Sequence, residues 1–60
     1  MLIYFERPFD AGSVAINPHF VMLVETSIAG TTNIVMVDGG TTKIRGDYME
    51  VIGRLNGELK

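Results

Sequence analysis

Cysteine is absent from this sequence, and histidine occurs once, at position 19. The first absence excludes disulfides, and the two together leave no conventional zinc-binding set. That matters because a chain of 60 residues buries only about 60% of the surface its unfolded form exposes, so a lone core is marginal. With disulfides and a structural metal removed, oligomerisation is the remedy left. Positive charge is also scarce: five Lys and Arg stand against seven Asp and Glu, for a net charge of -2 and a pI near 5.0. Such a balance argues against a protein held on nucleic acid by bulk electrostatics. No apolar run approaches the roughly 18 residues needed to span a membrane. The first residues, Met1 to Arg7, have no positive region ahead of their apolar side chains and no small-residue cleavage site, so they do not read as a signal peptide. A cytoplasmic protein without a membrane segment is expected.

What the sequence does have is apolar content, 47% of its residues, too much for a disordered chain. It reads as one domain over residues 1–60, of the α+β class: a small antiparallel β-sheet of about five short strands with one C-terminal helix packed on one face. Leu2 to Arg7 is rich in Ile, Tyr and Phe and is closed by Pro8, a strand pattern. Asp10-Ala11-Gly12-Ser13 is turn chemistry, with Gly12 placed to take a positive φ, and Val14 to Ile16 is a return strand. Asn17-Pro18 marks a corner, because proline disfavours the helical region for the residue before it. Phe20 to Thr26 suits a strand or a short helix by periodicity alone. Its β-branched residues and the break at Ala29-Gly30 favour a strand. Thr31 to Val37 and Thr41 to Arg45 are further strands, separated by Asp38-Gly39-Gly40, where a tight hairpin needs positive φ. After Gly46, Asp47 is a good N-cap with Glu50 at capping-box spacing. Tyr48, Val51, Ile52 and Leu55 then fall on one helical face, and Gly57 sits where a left-handed C-cap is expected.

Opposed residues of antiparallel strands share a face, so the turns sort the side chains. With Ala29-Gly30 and Gly39-Gly40 as two-residue turns, Val24 opposes Val35, Met22 opposes Val37 and Val35 opposes Ile44. The face carrying Phe20, Met22, Val24, Val35, Val37 and Ile44 is then the seat of the helix. Moving the second turn to Asp38-Gly39 leaves the faces unchanged. A first loop of three or five residues would turn the strand Phe20–Thr26 over. The opposite face carries Val21, Leu23, Ile34 and Met36, edged by Glu25, Lys43 and Arg45. A solvated face should alternate to polar residues, and an apolar centre with a charged edge is the composition of an interface. Val21, Leu23, Ile34, Met36, Lys43 and Arg45 are therefore the candidate interface residues. The competing reading is that the N-terminal hairpin folds over this face.

No residue set points to catalysis, a cofactor or a metal. His19 lies at a corner with no carboxylate or nucleophile at a useful spacing, and reads as an exposed loop residue. Asp38 to Lys43 has the glycines, threonines and lysine of a phosphate loop but not its spacing, and its lysine lies in a strand. Lys43, Arg45 and Arg54 offer a small basic patch with Tyr48 for stacking, diluted by Glu25, Asp47 and Glu50.

From Val14 to Leu55 the pattern resembles the small bacterial FlbD/SwrD family of flagellar and motility regulators. The matching residues are Val14-Ala15-Ile16-Asn17, Phe20 to Glu25, Ile34 to Gly39, and Glu50-Val51-Ile52. The longer Phe9 to Ser13 loop departs from that family, and Pro18-His19 is no signature of it. The resemblance implies a cytoplasmic regulatory role through protein contacts. Taken together, the residues predict a non-catalytic homo-oligomeric adaptor with an unidentified protein partner. The alternative is a nucleic-acid-binding regulator using Lys43, Arg45 and Arg54.

Overall fold

A computed structural model of the chain describes the backbone of residues 1–59 and the side chains through Gly57. Strands β1 (Ile3–Glu6) and β2 (Ser13–Ile16) pair in a two-stranded antiparallel sheet. A single 3-10 turn, Pro18–Phe20, leads into an antiparallel meander of β3 (Val21–Thr26), β4 (Thr31–Met36) and β5 (Thr41–Arg45). Helix α1 (Tyr48–Leu59) closes the described chain. The α+β class is as expected, with the strands divided between two sheets.

In the first hairpin Phe5 opposes Val14 and Ile3 opposes Ile16, which sends Ile3, Phe5 and Ile16 inward together. That register puts the turn at Pro8–Ala11, two residues earlier than the glycine suggests. Phe9 and Asp10 occupy its centre at φ 59° and 56°, the pair of left-handed residues a type I′ hairpin requires. Gly12 does take a positive φ, at 91°. At the corner, the Asn17 side chain accepts a hydrogen bond from the His19 amide at 3.0 Å and so caps the 3-10 turn.

The meander differs from expectation in one systematic way. Val24 opposes Ile34, not Val35, and Ile44 opposes Thr32. The reason lies in the loops. Between the paired residues Thr26 and Thr32 stand five residues, and between Val35 and Thr41 another five. Odd loops invert the facing that even loops give. In the first, the Thr31 amide and hydroxyl both donate to the Ile28 carbonyl, at 2.9 and 2.8 Å, with Gly30 at φ 80°. In the second, the Gly39 amide donates to Met36 at 2.9 Å and the Met36 amide to Gly40 at 2.8 Å, with Gly39 at φ 93°. This is a three-residue hairpin loop closed by a left-handed glycine. Two inversions in succession leave β3 and β5 in their expected relation and turn β4 alone over. A β-bulge at Met22 adds one more change, since Val21 opposes Met36 while Leu23 opposes Val35.

The core therefore forms on the face of Val24, Thr32, Ile34 and Ile44. Ile34 and Ile44 are completely buried, and with them pack Val51 and Leu55 of α1 and Ile3, Phe5 and Ile16 of the first hairpin. Helix and N-terminal hairpin thus share one side of the meander, so the hairpin does not cover the other. Asp47 caps α1 through a 3.2 Å bond from the Met49 amide to its carboxylate. The expected stripe is correct, with Tyr48 and Ile52 half-buried beside Val51 and Leu55. Gly57 does not end the helix, which continues to Leu59. Among the described residues no helix is long and apolar enough to cross a membrane.

Candidate interaction surface

The uncovered face of the meander is built from the positions that alternate with the core: Leu23 and Glu25 on β3, Thr31, Asn33 and Val35 on β4, Thr41, Lys43 and Arg45 on β5. One end of this face is apolar. The Val37 amide donates to the Phe20 carbonyl at 2.9 Å, carrying the ladder past the bulge. Phe20 and Val37 thereby oppose each other next to the inward pair Val21 and Met36, and so lie outward. The bulge also keeps Met22 out beside Leu23. Exposure is 56% for Phe20, 57% for Met22, 41% for Leu23 and 61% for Val37, with Val35 half-buried between them. The other end is a polar row, Glu25, Asn33 and Lys43, each opposite the next.

The six expected interface residues do not lie together. Ile34 is fully buried, and Val21 and Met36 pack against the core, because β4 is turned over and the bulge returns Val21 inward. Leu23 and Lys43 lie on the outer face, and Arg45 is exposed at the β5 edge. Conversely, Phe20, Met22, Val35 and Val37, expected beneath the helix, are on the outer face, while Val24 and Ile44 are on the core side as expected. The polarity of β4 and β5 carried the information: Thr31, Asn33, Lys43 and Arg45 are more polar than Thr32, Ile34, Met36 and Ile44. Aligning Glu25, Asn33 and Lys43 as one solvated row gives the observed facing.

The charged residues disperse. Arg45 lies 3.6 Å from the Glu6 carboxylate and 3.7 Å from that of Asp10. Arg54 donates to the Tyr4 carbonyl at 2.7 Å and stacks 4.3 Å above the centre of the Phe5 ring. Both line an open cleft of about 510 Å³ whose wall also carries Glu6 and Glu50, two carboxylates against two guanidinium groups. Lys43 is on the outer sheet face, away from this cleft. His19 is exposed on the 3-10 turn. In the Asp38–Lys43 segment the Asp38 carboxylate accepts from the Gly40 amide at 2.8 Å, which is hairpin closure. Among the described residues no three His, Cys, Asp or Glu side chains gather as metal ligands. Comparison with protein-family models, with curated proteins and with solved structures returned no match.

Proposed function

We propose that the protein is a small non-catalytic regulatory module of the cytoplasm, acting through protein contacts as a homo-oligomer. The carrying observation is the outer sheet face, where Phe20, Met22, Leu23 and Val37 are 41–61% exposed around Val35. A free antiparallel face alternates to polar side chains, whereas a contiguous apolar patch marks a binding surface. The patch holds one aromatic residue and one methionine among aliphatic side chains, with Glu25 and Lys43 at its edge, the make-up of an interface core. The regulatory role and compartment follow the FlbD/SwrD resemblance of the residue pattern. Nucleic-acid binding has less support, since Arg45 is matched by two carboxylates and Arg54 is engaged with Phe5 and Tyr4.

A face three strands wide and six residues long has a footprint of only about 300 Å², well below the roughly 800 Å² per partner of a standard stable interface. Association is therefore weak and needs high protein concentration. Leu23→Lys tests the reading, because Leu23 is exposed and its replacement does not disturb the core. Light scattering during size exclusion of a concentrated sample is expected to give more than the monomer mass for the wild type and 6.6 kDa for the variant. Equal masses for the two proteins contradict the proposal.

A further inference from the structure

Two copies stacked by their outer faces have two simple twofold arrangements, with the axis along the strands or across them. The polar row distinguishes them. Glu25 opposes Asn33 and Asn33 opposes Lys43, so the three side chains stand on one face, carboxylate at the β3 edge, amide at the centre, ammonium at the β5 edge. About 10 Å, two strand spacings, separates the outer members. Among the described residues neither Glu25 nor Lys43 joins an ion pair within the chain.

A half-turn about an axis along β4, midway between stacked sheets, exchanges the two edges and keeps each row at its own height. Val35 then meets Val35, and Asn33 meets Asn33, whose amide both donates and accepts. Glu25 of each copy stands over Lys43 of the other, twice. Stacked sheets lie about 10 Å apart, a gap that a glutamate and a lysine bridge together. An axis across the strands at the same row instead sets Glu25 over Glu25 and Lys43 over Lys43. Like charges at close range suppress that arrangement.

Resting on the protein-binding reading of this face, we infer that its occupant is a second copy of the chain, in a dimer whose twofold axis runs along β4. Val35 and Val37, on the line of β4, supply the burial at the axis, Leu23 of each copy lies over Thr41 of the other, and two Glu25–Lys43 pairs between copies fix the orientation.

The test uses the intact protein with Glu25→Lys and Lys43→Glu, both exposed strand positions. Each variant alone places two like-charged pairs in the dimer and is expected to weaken self-association roughly tenfold or more. In an equimolar mixture every such pair is again opposite in sign, so the mixture is expected to recover near wild-type association in sedimentation equilibrium. High salt should narrow the difference between mixture and single variants. Should either variant lose its folded circular-dichroism spectrum, Glu25→Gln and Lys43→Gln give a double-mutant cycle in its place, and additive effects there contradict the pairing. A wild type that stays monomeric overturns this dimer and the homo-oligomeric reading together. A wild-type dimer indifferent to both charges, or weakened by each and not restored on mixing, overturns the axis alone.

Discussion

Gly46 joins the meander to the helix. Its φ of 132° is one that side-chain-bearing residues rarely adopt, and an added Cβ would lie 3.1 Å from the Glu50 carboxylate and 3.4 Å from Val51. The glutamate can swing away, but the backbone angle cannot relax. Gly46→Ala is therefore expected to cost about 1–3 kcal/mol, read from denaturant unfolding. Beside it, buried Thr32 donates its hydroxyl to the Gly46 carbonyl at 2.8 Å. Thr32→Val keeps the shape and removes that donor, at an expected cost of about 1 kcal/mol, because the half-buried Gly46 carbonyl loses its partner. A change below a few tenths of a kcal/mol in both variants would show that this joint is not rigid.

The helix illustrates how an element holds by docking. Twelve residues are marginal alone, and α1 is anchored by Val51 and Leu55 against Ile34 and Ile44. Leu55→Ala is expected to destabilise by about 2–5 kcal/mol. Gly53 lies in the same helix with nothing within 4 Å of an added Cβ, so Gly53→Ala is expected to stabilise by up to about 1 kcal/mol. Thermal unfolding of the two variants should thus move in opposite directions. The first hairpin holds Phe9 and Asp10 at positive φ where Asn-Gly is favoured.

Elements were legible because glycine, proline and Asp47 punctuate them. The facing of the strands was not, since it depends on loop parity: Ala29-Gly30 and Asp38-Gly39-Gly40 suit loops of either parity by composition. Burial of Ile34 and Ile44 against the helix, with Asn33 and Lys43 excluded from it, chose between them. The apolar surface was legible as a feature of the meander, but with Phe20, Met22, Val35 and Val37 assigned to the wrong side of it. The bulge at Met22 left no mark in the sequence, because both alternating sets of β3 are apolar.

As a whole, the molecule concentrates its core on one side of a three-stranded sheet and leaves the other side to the outside. Among the described residues Arg45 and Arg54 share their cleft with Glu6 and Glu50 while Lys43 stands on the outer sheet face, so no salt-sensitive binding of DNA or RNA is expected at physiological ionic strength. Fluorescence anisotropy with labelled oligonucleotides checks this, and a micromolar complex that weakens steeply with salt would favour the alternative regulator. The sheet face itself is tested most directly by methyl NMR spectra recorded on dilution from about 1 mM to about 10 μM, a range that shifts a weak monomer–dimer equilibrium. The methyl signals of Met22, Leu23, Val35 and Val37 are expected to move with concentration while those of Ile44 and Val51 hold still. Spectra that do not change on dilution, or change only for residues away from the outer face, would contradict self-association through this surface.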